Sequence, residues 1–328
     1  MNWKILSSLL VILSVFSVLL FEFITPSSSK EDDFVLNRGD NIFKVSTRLK
    51  ADGYIGSKMI FLSVSMGDGS FRKIRAGTYE LRKGMSNSEI LRIITSGSPV
   101  IGQFIILPGN SIKEISYSLE RNGICSSEEF MGYVLDRGKW GVMQEEYLFL
   151  KDIPDKGSLE GYLFPDTYHI DRKSSPDRVV DMILANFRER TKSLKTDGNK
   201  HGAYEIMIMA SILEKEVISL DDKKLVAGLL WKRLAGGYPL EVDSTLIYFR
   251  SSDHPSVNDK NIDSLYNTYN HGGLPVGPIS NPSLESIEAA IDYQESDYWF
   301  YLSASDGKTI FSKNYGEHLI NKAKFLDK

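Results

Sequence analysis

Two glutamates stand two residues apart at the end of the segment Tyr204 to Val217, Tyr-Glu-Ile-Met-Ile-Met-Ala-Ser-Ile-Leu-Glu-Lys-Glu-Val. Its length and apolar content predict a buried helix. At about 100° per residue, Ile206, Ile208, Met209, Ile212 and Leu213 centre on one face, and Glu216 falls within roughly 10–20° of that centre. Glu214 points to the opposite side. A carboxylate on an apolar face is costly if it stays charged and unpaired, so it either keeps its proton through a raised pKa or finds a dedicated partner. Both outcomes suit a general acid. Helix geometry alone equally allows Glu216 to have left the core in the last turn, solvated or salt-bridged.

Other chemistry-bearing side chains gather in three segments. Leu159 to Tyr168 sets Glu160, Tyr162 and Asp166 in a turn suited to a sugar platform or to a plain domain junction. Leu240 to Tyr248 alternates Glu241 and Asp243 with apolar residues, which predicts a strand or cleft wall. Tyr266, Asn267, Thr268 and Tyr269 precede a Gly- and Pro-rich stretch from Gly272 to Pro282, whose composition fixes backbone. Aromatics and amides beside a rigid loop suit the stacking and hydrogen bonding of sugar rings, although a purely structural loop explains them as well.

The elements that must position these groups follow from patterning. Ser175 and Pro176 open a helix through Val179, Ile183 and Phe187 toward Arg190. Asp221 to Leu234 forms another, with Leu225, Leu229 and Leu230 as its stripe and Lys223, Lys224, Lys232 and Arg233 outside it. A helix near Ser283 to Ala290 precedes a hairpin, Trp299 to Ala304 and Thr309 to Ser312, turned by Asp306 and Gly307. Upstream the chain repeats itself: Gly39, Ile42, Val45, Leu49 and Gly53 recur at the same offsets as Gly109, Ile112, Ile115, Leu119 and Gly123, with a poorer copy from Gly84 to Gly97. Each copy follows an extended apolar run, so each unit is expected to be strand, turn, short helix. Such repeats build a small α+β core, and also resemble carbohydrate-binding LysM modules.

Over 328 residues, 25% charged residues and a net charge of −4 describe a folded chain without a basic footprint, so nucleic acid is not an expected partner. The single cysteine, Cys125, excludes an intramolecular disulfide and a cysteine zinc site. The five histidines show no ligand spacing, and no cofactor or metal is expected. Ile5 to Phe21 is broken only by serines and continues through Glu22, Phe23 and Ile24, roughly the ~20 residues a helix needs to cross a bilayer, with Glu22 the residue least suited to it. Lys4 before it and Glu31 to Asp33 after it place the N-terminus in the cytoplasm. Residues 1–26 are therefore expected to be a single-pass anchor in the cytoplasmic membrane, with the rest of the chain outside. A cleaved signal peptide and a buried helix are the competing readings.

Five ordered motifs, LEGYLFPDTY at 159–168, ASILEKE at 210–216, LEVDSTLIY at 240–248, YNTY at 266–269 and GLPVGPISNP at 273–282, resemble those of the YceG-like endolytic murein transglycosylases. Three positions depart from the family pattern: Ser244 and Val276 stand where proline is common, and Thr309 where histidine often is. The resemblance implies an α+β fold: an anchor at 1–26, a linker at 27–33, LysM-like repeats at 34–150 and a mixed α+β catalytic domain at 151–328. It further implies cleavage of peptidoglycan glycan strands between N-acetylmuramic acid and N-acetylglucosamine without water, leaving 1,6-anhydromuramoyl ends. Glu216 is the residue it makes catalytic. Glu160, Tyr162, Asp166, Glu241, Asp243, Thr245, Tyr266, Asn267, Thr268 and Tyr269 are the expected substrate-binding set, and peptidoglycan synthases of the same membrane are expected partners. A hydrolytic muramidase using Asp243 or Glu160 as second carboxylate, and a non-catalytic wall-binding scaffold, are the rival classes.

Overall fold

The computed structural model describes residues 31–326 apart from 38, 68, 97–100, 195–197, 250–259 and 305–306. The expected anchor at 1–26, Gly97 of the third repeat and Asp306 of the hairpin turn lie outside the described residues. Among those described, no helix is long and apolar enough to cross a membrane. Among the described residues the fold is mixed α+β, with three small two-stranded sheets.

Its packing divides into two compact units. One gathers the described residues up to Gly102 together with His169–Lys173, and the other runs over Gln103–Tyr168 and from Ser174 onward. In the first, strand β1 (Glu31–Leu36) pairs antiparallel with β2 (Gly77–Arg82), Phe34 lying opposite Tyr79. Helices α1 (Ile42–Ala51), α2 (Lys58–Gly67) and α3 (Asn87–Ser96) complete this unit. Repeat positions Ile42, Val45, Leu49, Ile90 and Ile94 join Phe34, Phe61, Tyr79 and Leu81 in one core. Strand β1 begins at Glu31, inside the segment 27–33 expected to be a linker, whose residues 27–30 lie outside the described residues.

The second strand–turn–helix copy, β3 (Ile101–Ile106) and α4 (Ile112–Arg121), places its helix in the second unit. A capping box between Ser111 and Glu114 starts α4, satisfying amides that the first helical turn leaves without partners. Helices α5 (Ser127–Val134) and α6 (Arg137–Trp140) lead to β4 (Asp166–Asp171), which pairs with β3. Then come α7 (Pro176–Thr191), begun by Ser175 and Pro176 as the sequence predicts, α8 (Ala203–Glu216), α9 (Leu220–Ala235), α10 (Asp243–Phe249) and α11 (Leu284–Ile291). The hairpin β5 (Phe300–Ser303) and β6 (Thr309–Ser312), with Tyr301 opposite Phe311, is followed by α12 (Tyr315–Phe325).

Two expectations about this unit are corrected. Leu240 to Tyr248 is not a strand: the alternation of buried and exposed residues stops at Asp243, where α10 begins and Ser244, Thr245 and Leu246 are buried in succession. Lys223 and Arg233 of α9 are not outside the core but 3% and 8% exposed. Each has a buried partner set that a helical stripe does not reveal: Glu214 for Lys223, and backbone carbonyls for Arg233.

Backbone approach explains two glycines in the second unit. Gly161 has φ +91°, and a Cβ there would meet Pro278 Cγ at 2.8 Å, so the 159–168 turn can lie against the 273–282 loop only with glycine. A Cβ at Gly228 would overlap the Gln294 carbonyl oxygen, so glycine lets α9 pass directly against that backbone.

Candidate active site

Helix α8 is buried from Ile206 to Leu213 and ends at Glu216, after which Val217 turns to extended backbone. Its last turn delivers two carboxyls to two environments. Glu214 Oε2 accepts from the Ser283 amide at 2.9 Å, the Ser283 hydroxyl at 2.5 Å and the Ser286 hydroxyl at 2.7 Å, and pairs with Lys223 Nζ at 3.5 Å. Burial pushes this carboxyl up, but these donors and the lysine outweigh it and hold it below the usual carboxylate range.

Glu216 is half-buried and meets weaker partners. Its Oε2 accepts from the Tyr301 hydroxyl at 3.1 Å and its Oε1 from the Ser244 amide at 3.4 Å. Burial raises its pKa. Ser244 and Tyr301 oppose that shift without cancelling it, and the negative charge of Asp243 adds to it. A carboxyl held toward its acid form at the end of a rigid helix can donate a proton and, once charged, take one back.

Two walls position these partners. Tyr301 and Ser303 are two apart in β5 and so share a face; the Ser303 hydroxyl donates to the Glu216 backbone carbonyl at 3.3 Å. Arg233 fixes this strand by donating to the Trp299 carbonyl, with its guanidinium 5.1 Å from the centre of the Phe300 ring. The same side chain donates to the Leu240 carbonyl at 2.9 Å and pairs with Glu241 at 3.6 Å, tying β5 to the turn before α10. In that turn Glu241 takes φ +54°.

The second wall is the 266–269 loop. Thr268 receives the Val242 amide at 3.0 Å and lies 3.1 Å from the Thr245 hydroxyl, all three groups being buried. Asn267, fully buried, donates to the Lys260 and Ile262 carbonyls and accepts from the Tyr269 amide. Thr245, Asn267 and Thr268 therefore shape the loop from inside. What they present is Tyr269, whose hydroxyl donates to exposed Asp243 at 2.7 Å and whose ring carries Lys260 Nζ at 4.1 Å. Glu216, Asp243, Tyr269, Tyr301 and Ser244 form one cluster.

The remaining expected site residues stand elsewhere. Glu160 is 2% exposed and accepts from the Ile112 amide, the Tyr248 hydroxyl at 3.0 Å and Asn281 Nδ2 at 2.8 Å, so its carboxyl joins the start of α4, α10 and the 273–282 loop. Burial pushes its pKa up to about 7 against those donors. Tyr266 packs against Tyr248 with ring centres 5.0 Å apart, beside this node. Tyr162, expected in a turn suited to a sugar platform, is 2% exposed and packs its ring against Phe149 and Phe187. Asp166 opens β4, paired with Arg190 at 2.6 Å and accepting from Asn186. Tyr301 and Arg233 were not among the expected site residues. No local spacing in the sequence marks Tyr301, which the hairpin brings to Glu216 from 85 residues away.

The YceG-like family model matches residues 34–324. An endolytic murein transglycosylase of Bacillus subtilis is 29% identical over 299 residues, covering 87% of this chain and 82% of its own length. A protein of that name from Streptococcus pneumoniae is 28% identical over 333 residues, covering 93% of this chain and 60% of its own. Among solved structures, a YceG-like protein of Listeria monocytogenes superposes with a TM-score of 0.56 at 27% identity, covering 90% of this chain and 100% of that one.

Proposed function

This chain belongs to the YceG-like family, and we propose that it is an endolytic lytic transglycosylase of peptidoglycan with Glu216 as its single acid and base. The observation that carries this reading is the state of one carboxyl: Glu216 is raised by burial and touched by the neutral donors Tyr301 and Ser244. The curated relatives' names supply the substrate class.

In the proposed reaction the Glu216 proton passes to the glycosidic oxygen as the bond between it and C1 of the muramoyl residue breaks, its electron pair leaving with that oxygen. The Glu216 carboxylate then accepts the proton of the muramoyl C6 hydroxyl while that oxygen bonds to C1. Atoms balance without water, and the product end is a 1,6-anhydromuramoyl ring. Asp243 acts through its charge, disfavouring an ionised Glu216 before the transfer and favouring the oxocarbenium-like centre during it. Cleavage within nascent strands would terminate them. On this reading the apolar segment at 1–26 anchors the enzyme in the cytoplasmic membrane near peptidoglycan synthases, and the N-terminal repeats act as LysM-like glycan contacts.

A hydrolytic muramidase is the second reading, favoured by the presence of Asp243 as a neighbouring carboxylate. Mass spectrometry of products from purified, uncrosslinked glycan strands separates the two. Anhydromuramoyl ends from the wild-type chain and none from folded Glu216→Gln support the transglycosylase. Reducing muramoyl ends carrying solvent oxygen would establish the hydrolase.

A further inference from the structure

Ser244, the second residue of α10, is 7% exposed. Its amide faces Glu216 Oε1 at 3.4 Å, a long contact, whereas Oε2 receives a well-formed bond from Tyr301 at 3.1 Å. The Ser244 hydroxyl oxygen is sealed from solvent and makes no well-formed hydrogen bond to any described residue. The acceptor it favours is the charged form of Glu216. In the acid form the oxygen that accepts from the Tyr301 phenol serves as the carbonyl oxygen, so the proton belongs on Oε1. A buried hydroxyl beside the Glu216 carboxyl that lacks a well-formed bond is then a donor the charged form can engage more closely, and an interaction stronger after proton transfer than before it accelerates the transfer.

We propose that Ser244 is a positioning residue for Glu216: its hydroxyl donates to Oε1 as that oxygen gives up its proton to the substrate, making Oε1 the oxygen that delivers and recovers the proton. The inference rests on Glu216 being the acid. The other groups facing Glu216 are Asp243 from α10, Tyr269 from the 266–269 loop and Tyr301 from β5 with Arg233 behind it.

The test uses the full chain as Ser244→Ala and Ser244→Pro. Proline is tolerated in a first helical turn and removes the amide donor as well as the hydroxyl. Two readouts are taken: the pH profile of glycan cleavage, and the titration of the Glu216 carboxyl by 13C NMR on glutamate-labelled protein without substrate, its signal assigned by its loss in Glu216→Gln. In Ser244→Ala the carboxyl titration and the basic limb of the profile move up together by about one pH unit. At the wild-type optimum kcat falls roughly tenfold with KM unchanged, and Ser244→Pro moves the limb further. A folded Ser244→Ala protein whose carboxyl titrates at the wild-type pH overturns the proposal, as does one in which only KM moves. If Glu216→Gln stays active, the acid assignment fails on its own, and the carboxyl titration still decides whether Ser244 governs the charge of Glu216.

Discussion

Glu214 and Glu216 leave the same last turn of α8, and their carboxyls are held in opposite directions, Glu214 below and Glu216 above the ordinary range. Both are substantially withdrawn from water, so burial pushes both up. The difference lies in what each meets: Lys223 and three serine donors for Glu214, two neutral donors and the Asp243 charge for Glu216. Pairs of titratable groups whose surroundings separate their pKa values mark a division of labour, here between a structural anion and a proton donor.

Glu214→Gln should therefore damage folding rather than chemistry. Removing one member of a pair whose side chains are 10% and 4% exposed leaves Lys223 charged and unpaired, at a cost of about 3 kcal/mol. Because the folded pKa of Glu214 is lowered, its contribution is full above the unfolded carboxylate pKa and is lost as pH falls through the folded value. Denaturant unfolding at neutral pH should show a lower midpoint for the variant, the gap narrowing in acid. Cleavage per folded molecule should stay close to wild type, and a folded variant without activity would contradict this division.

Glu160 carries the opposite linkage. Its folded pKa of about 7 exceeds that of an exposed glutamate, so between those values the folded chain holds a proton the unfolded chain releases. Stability should fall as pH rises from about 4.5 to 7, by at most about 1.4 kcal/mol per pH unit. Glu160→Gln cannot titrate, and should flatten the melting temperature measured across that range while lowering it throughout, because its amide must face one of the donors from Ile112, Tyr248 or Asn281. A variant that keeps the wild-type slope would assign the effect to another group.

How much of this was legible in the sequence depends on the length over which each interaction acts. The repeat helices, the Ser175-Pro176 start of α7 and the apolar run of α8 are local patterns, and the sequence predicts them. Spacing along one helix does not separate Glu214 from Glu216, because α8 is buried on every side from Ile206 to Leu213 and the Glu214 side chain is itself only 10% exposed. Partners brought from afar are not legible either: Lys223 and Arg233 look like solvent-facing cations on a helical wheel, and only the folded chain supplies Glu214 and the Leu240 and Trp299 carbonyls that bury them. Likewise Glu160, Thr245, Asn267 and Thr268 have the residue types of a sugar site, but their hydrogen-bonding capacity is spent on the protein's own backbone and side chains. Tyr301 enters from a hairpin 85 residues away from Glu216, beyond any local pattern.

Arg233 makes a sharper test of the walls than a simple deletion. Its planar fork reaches the Trp299 and Leu240 carbonyls while its face lies over Phe300. Arg233→Lys keeps the charge but has neither the fork nor the stacking face, so it should not rescue the site. The expected result is a loss of about 2 kcal/mol in unfolding free energy, together with a fall in kcat at temperatures where the variant remains folded, because β5 no longer holds Tyr301 against Glu216. Wild-type kcat in the lysine variant would show that charge alone is what this position needs.

Two substitutions around Glu216 should move its titration in opposite senses, which a general loosening of the site would not do. Tyr301→Phe removes a donor that favours the charged carboxyl, so the pKa of Glu216 rises further and the basic limb of the cleavage profile shifts to higher pH. The same change deprives the carboxylate of its partner after proton transfer, and kcat should drop by about 10- to 100-fold. Asp243→Asn instead removes a like charge, so Glu216 ionises more readily and the basic limb shifts down by about half a pH unit. Tyr269, whose hydroxyl now donates to Asp243, can donate to the amide oxygen in its place, so the loop should keep its shape. The decisive measurement is the sign of each shift in the pH dependence of anhydromuramoyl-end formation. Shifts of the same sign would mean that both residues act through the backbone of the site. Complete loss of cleavage in a folded Asp243→Asn protein would mean that Asp243 takes part as a second reacting carboxylate, and the mechanism with a single acid and base would have to give way to the hydrolytic one.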